Sequence, residues 1–325
     1  AVEAMGKREE WWEEGATALL RAADDSNDQV KIEAAKALPR LAGVTPAVIE
    51  RLCGLLEDDN ATVQALTAQA LGRLGPAAAL AGETLLRLTQ AGEANVREHA
   101  LRAIAQIQPP QAVAAFLAGL KDALPEARKL ASAGLIKVTE MPPEVIPALL
   151  EALRDPEAQV RANAARVLTR LPELPGEAIA PLVECATDPD DKVRLSAALA
   201  LRLAPPARLR DAFLQLLGDP NPRLRLLAAG SLLDGDPADP EATAALIQAL
   251  ADPVPRVRRS ALEWIEGHEQ IDAAILEALR QRVEPETEPE LSGLLEEIIE
   301  RLEQQMAAVE APATIPVVEA GEQPV

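Results

Sequence analysis

Residues Leu153–Leu171 read LRDPEAQVRANAARVLTRL, and this stretch decides the fold because the rest of the chain repeats it at a fixed distance. Asp155-Pro156 signals a sharp helix start: an Asp at an N-cap accepts backbone N–H groups, and Pro beside it gives up only a donor with no partner there. Beyond it, Val160, Ala164, Val167, Leu168 and Leu171 fall three and four apart, the spacing of one helix face. The stretch is one turn and one helix.

Aligned on Val160, the residues Val30, Val63, Val96, Ala127, Val160, Val193, Leu224, Val257 and Leu291 recur at spacings of 33, 33, 31, 33, 33, 31, 33 and 34. A period in that range predicts an array of supersecondary units. Each unit also carries an earlier amphipathic run, such as Val145, Ile146, Leu149, Leu150 and Leu153, often begun by Pro, as after Thr45, Met141 and Asp239. Two short helices per unit cannot bury their apolar faces alone, so each leans on its partner and on the next unit.

The polar residues keep the same register. Asp155, Asp188, Asp219 and Asp252 each precede Pro, with Asp25, Asp58 and Asp122 in step without it. Six residues on stand Lys31, Gln64, Arg128, Arg161, Arg194, Arg225 and Arg258, with Arg97 behind Ala91. Stacked units would bring these charges into a column in which each guanidinium reaches its own Asp and that of the next unit. The column is expected to break at Ala91, weaken at Gln64 and be absent from the last unit, where Ser292 takes the Arg position.

The segments DPEAQVRANAARVL, DPDDKVRLSAALAL, DPNPRLRLLAAGSL and DPVPRVRRSALEWI follow D-P-x-x-x-V-R-x-x-A-A-x-A-L, a pattern that resembles the HEAT-repeat family in its short, HEAT-like or PBS-lyase-type form. The resemblance covers roughly residues 10 to 305. It implies an all-α fold, a right-handed α-solenoid of about nine helical hairpins, with first helices convex, second helices concave, and the Asp and Arg residues as an inter-repeat ladder. One solenoid over 1–307 is expected, with an N-terminal capping helix in 1–24, an acidic capping helix in 284–307 and a flexible tail over 308–325.

Composition narrows the function. The 325 residues carry 32 Lys and Arg against 52 Asp and Glu, a net charge of −20, and aromatics are 2% with no Tyr. About half of that charge lies between Glu284 and Val325. Such acidity disfavours nucleic acid and anionic lipid, where cationic side chains supply the affinity. Two cysteines and no secretory or membrane-spanning run point to the cytoplasm, without membrane insertion. The Ala, Leu, Pro and Arg bias suggests a bacterial source.

No catalytic constellation emerges. Cys53, His99, Cys185 and His268 lie in units too far apart to converge on one metal. The run Asp234–Asp239 lacks the ligands of a calcium loop at Ala238 and Ala245 and reads better as a loop ending in an N-cap at Asp239. There is no Gly-rich phosphate loop, G-x-S-x-G, H-E-x-x-H or Cys-x-x-Cys. No cofactor is expected. A non-catalytic scaffold or adaptor binding one or more proteins, on the concave face or at the ends, is the leading reading. The alternatives are a phycobilin-lyase-like or enzyme-maturation accessory subunit and, behind it, a HEAT-like DNA-base glycosylase. Candidate partner-binding residues are those that vary between units: Trp11, His99, Arg102, Asn163, Arg166, Leu195, Leu226, Leu227 and Arg259. Leu195, Leu199, Leu226 and Leu227 would form an apolar patch if exposed.

Overall fold

The computed structural model describes residues 15–40, 45–205, 209–268 and 271–310, with backbone alone at 307–310. Among them the only regular structure is helical. The chain divides into two compact units, Ala1–Leu203 and Ala204–Val325.

In the first unit the helices follow in pairs: α1 (15–22) and α2 (Asp28–Ala37), α3 (Pro46–Leu55) and α4 (Ala61–Leu74), α5 (Gly82–Leu88) and α6 (Ala94–Ile107). Next come α7 (Ala112–Gly119) and α8 (Pro125–Leu135), α9 (Val145–Ala152) and α10 (Ala158–Leu168), α11 (Gly176–Cys185) and α12 (Asp191–Leu201). Each second helix from α4 to α12 packs on the first helix of its own pair, and α2, α4, α6, α8, α10 and α12 pack side by side in that order. This is the layering of an α-solenoid. The second unit pairs α13 (Arg210–Leu216) with α14 (Pro222–Gly235), α15 (Pro240–Leu250) with α16 (Pro255–Glu266) and α17 (Ala273–Arg282) with α18 (Pro289–Glu310), with α14, α16 and α18 again in sequence.

The turn works differently from the expected N-cap. The repeating Asp sits two residues before the N-cap and closes an Asx turn: Asp155 Oδ1 accepts the Glu157 N–H at 2.8 Å, and Asp188 Oδ1 the Asp190 N–H at 2.9 Å. Asn27, Asn60, Asp190 and Asn221 then cap their helices from the N-cap position itself. Carbonyl ends are covered from the next repeat. Arg170 donates to the Leu135 and Ile136 carbonyls at the end of α8, and Arg301 to those of Ile265 and Glu266 at the end of α16.

Small residues let the second helices approach, and the few large ones are matched by glycine. Phe116 of α7 is fully buried against Gly134 of α8, where a Cβ would lie 2.4 Å from the ring atoms Cε1 and Cζ. In the second unit Trp264, standing where other units carry Ala, occupies the space left by Gly230. In an exposed helix Gly→Ala gains about 1 kcal/mol. At Gly134 the new methyl meets a ring with nowhere to move, and overpacking of that kind costs about 1–3 kcal/mol. Gly134→Ala is therefore expected to lower the thermal midpoint, read by circular dichroism, whereas Gly134→Ala with Phe116→Leu recovers part of the loss.

The last helix of the second unit is amphipathic, with Leu291, Leu295, Ile298 and Leu302 buried and Glu296, Glu297, Glu300 and Glu303 exposed. It continues to Glu310. Most of the expected N-terminal capping helix and the tail from residue 311 lie outside the described residues. No described helix is long and apolar enough to cross a membrane.

Candidate interaction surface

The most regular polar chemistry lies between repeats. Arg161 Nε and Nη2 donate to Asp188 Oδ2 and Oδ1 at 2.7 and 2.9 Å, while Nη1 donates to the carbonyls of Asp155 and Pro156 at 2.7 and 2.9 Å. Each guanidinium therefore grips its own turn through backbone oxygens and the next turn through the carboxylate, rather than bridging two carboxylates. Arg128 does the same with Asp155, Asp122 and Ala123, and Arg97 pairs with Asp122. In the second unit Arg225 reaches Asp252 at 3.5 Å and its own Asp219 through the backbone. Arg194 likewise binds the carbonyls of Asp188 and Pro189. Burial alone would raise the Asp188 carboxyl; the Arg161 guanidinium and the Asp190 N–H reverse that and hold it below its usual range, and Asp122 is held down in the same way.

Two departures resolve. Gln64 occupies the Arg position at the very junction where Ala91 occupies the Asp position, so both partners are replaced together and neither leaves a buried charge unpaired. There α4 and α6 approach closely, a Cβ on Gly72 falling 3.1 Å from the Ala103 Cα. Arg97 still donates to the Ala91 carbonyl at 2.9 Å, so the backbone half of the ladder survives. The second departure corrects the expectation for the last unit. Glu286 stands five residues before Leu291, as Asp155 stands before Val160, and it accepts from Arg258 Nε and Nη2 at 2.8 and 2.7 Å. The longer side chain still closes the turn, accepting the Thr287 and Glu288 N–H groups. The Arg258 contact, with those N–H groups, lowers the Glu286 carboxyl to about 2 against the cost of burial.

The residues that vary between units are distributed as follows. Trp11 lies outside the described residues. His99 is half-buried with Nδ1 2.8 Å from the Asn95 carbonyl oxygen, and Arg102 pairs with Glu98 at 2.7 Å. Arg166 is exposed. Asn163 is not available to a partner as expected: it is buried, donates to Ser132 Oγ of the neighbouring repeat at 3.0 Å and accepts from Gln159. Leu195, Leu226 and Leu227 are half-buried, Leu195 in the first unit and the others in the second, and Leu199 is exposed. Arg259 pairs with Glu290 at 2.6 Å.

Cys185 is buried with its Sγ 3.4 Å from the Leu153 carbonyl oxygen, and burial pushes its thiol up to about 11; burial also raises the Cys53 thiol. Asp239 caps α15, accepting the Ala242 N–H, and pairs with Arg210. Asp234 faces the His268 ring, which stacks on Trp264 at 3.8 Å. Among the described residues no group of three or more His, Cys, Asp or Glu is placed to hold a metal ion.

The family model for HEAT repeats matches residues 16–82, 82–169 and 179–266. The chain belongs to the HEAT-repeat family. Solved structures with similar HEAT-like architecture include an engineered protein, 19% identical with a TM-score of 0.58, the match covering 90% of this chain and 92% of that one. YibA of E. coli is 20% identical with a TM-score of 0.55, covering 80% and 97%. The Kap95p complex with RanGDP gives 16% identity and a TM-score of 0.58, covering 90% of this chain and 44% of the other. At these identities the likeness is one of fold. No curated protein sequence matches the chain.

Proposed function

We propose that this HEAT-repeat chain is a non-catalytic scaffold that holds a partner protein on the second-helix face or at an end of the array. The observation that carries the proposal is the division of labour between two sets of polar residues. Those recurring once per unit, such as Asp155, Arg161, Asp188 and Arg258, are engaged between repeats. Those that change from unit to unit include the half-buried His99 and the exposed Arg166 on the second helices. A set of stacked helices presents a wide surface of this kind, and binding follows what differs along it. The test is gel filtration of the tagged full chain purified from its source cells after mild crosslinking. A defined complex with another protein is expected; a chain that elutes alone at physiological salt overturns the scaffold reading.

A further inference from the structure

In the first unit a recurring set of positions faces outward along the second helices. On α10 these are Gln159 and Arg166, with the buried Asn163 between them and Arg170 in the turn that follows, and on α8 they are Glu126 and Ala133, with Lys137 in the turn that follows. The same four positions recur on α4, α6 and α12, and the helices lie side by side, so the positions form one continuous face. Their charge opposes that of the whole protein. From α4 to α12 the basic residues at these positions are Arg73, Arg102, Lys137, Arg166, Arg170 and Lys192, against the single acid Glu126.

Few of these charges are neutralised. Arg102 is, by Glu98. Arg170 binds two main-chain carbonyls and keeps its full charge. Arg73, Lys137, Arg166 and Lys192 are exposed and face no carboxylate within ion-pair distance among the described residues. The first helices behind them expose mostly acids, among them Glu50, Glu83, Glu151, Glu177 and Glu184, with the exposed Arg87 paired to Glu57. At these positions of the first unit unpaired cations outnumber acids in a chain whose net charge is −20, whereas a purely solvated surface interleaves both signs.

We infer that the second-helix face of the first unit binds an acidic, extended segment of a partner protein. The inference rests on the scaffold reading and specifies its face and the chemistry of the occupant. Five helices packed at about 10 Å span about 40 Å, the length of an extended peptide of about twelve residues. Charge complementarity excludes a basic segment. The acidic remainder of the chain disfavours the denser phosphate charge of nucleic acid, whereas an extended peptide with a carboxylate at about every third residue, about 10 Å apart, matches the spacing of the helices.

The test is fluorescence anisotropy of the full chain with a labelled peptide of about twelve residues in which every third residue is Glu or Asp and the others are Ala. A Lys–Ala peptide and a single-stranded oligonucleotide serve as competitors. The acidic peptide is expected to bind, and to weaken as salt rises past the range where the Debye length falls to about 8 Å. The triple variant Lys137→Glu, Arg166→Glu, Lys192→Glu is expected to lose at least about tenfold in affinity with its melting midpoint unchanged, while Lys121→Glu at the end of α7 changes little. Equal binding of the Lys–Ala peptide, tighter binding of the oligonucleotide, or full affinity in the triple variant overturns the proposal. A cellular complex whose crosslinks fall on the first helices also overturns this face and leaves the scaffold reading standing. Peptide binding by a chain that is monomeric in its cells does the reverse.

Discussion

Arg161→Ala is expected to lower the unfolding free energy by about 3 kcal/mol, the cost of stranding one member of a poorly hydrated ion pair. The side chains of Arg161 and Asp188 are only 15% and 9% exposed, so water does not replace the lost guanidinium. The substitution also removes the donor from the Asp155 and Pro156 carbonyls. Arg161→Gln with Asp188→Ala, which copies the Gln64 and Ala91 junction, is expected to cost about 1 kcal/mol, less than Arg161→Gln alone, because no charge is left unpaired. Urea denaturation followed by circular dichroism measures both. A double variant as unstable as the sum of its parts would mean that the pair is not coupled.

The second large effect is on acid stability in the second unit. The Glu286 carboxyl is lowered from 4.5 to about 2 by Arg258, so the folded state binds its proton less readily than the unfolded chain does. The contribution is fully present above about 4.5 and is lost as pH falls through that value toward 2. A depression of that size corresponds to about 3 kcal/mol, which applies to a side chain only 1% exposed. The lowered Asp122 and Asp188 act in the same direction in the first unit. Glu286→Gln is expected to reduce stability at neutral pH and to flatten its decline between about pH 5 and pH 2, measured as urea midpoints across that range. An unchanged slope would show that Glu286 is not held ionised by Arg258.

The period, the pairing of helices and the Asp and Arg columns are legible in the sequence because each is repeated, and repetition averages away local exceptions. What it does not reveal is how each group is used. Asp155 reads as an N-cap from its type and position, yet the N-cap is Glu157, because the Asx turn takes two residues to enter the helix. Glu286 escapes a search for Asp although it keeps the register, since an extra methylene still lets a carboxylate reach both the turn and the arginine. Asn163 looks like a surface residue from its place between exposed Gln159 and Arg166. It is buried because Ser132 of the neighbouring repeat offers a partner that helical spacing within one unit does not show. The charge sorting of the first unit is also hidden in a total of −20, since it emerges only when residues are grouped by the face on which they stand.

The central claim is that the polar residues recurring at the repeat junctions hold the array together, and that exposed residues differing between units, such as Arg166, do not. Side-by-side urea denaturation of Arg161→Ala and Arg166→Glu tests it most directly, since the two arginines lie on the same helix and differ in whether they are engaged. The account predicts a lower midpoint for Arg161→Ala and a midpoint unchanged from the parent chain for Arg166→Glu. Equal losses, or a larger loss from Arg166→Glu, would contradict it.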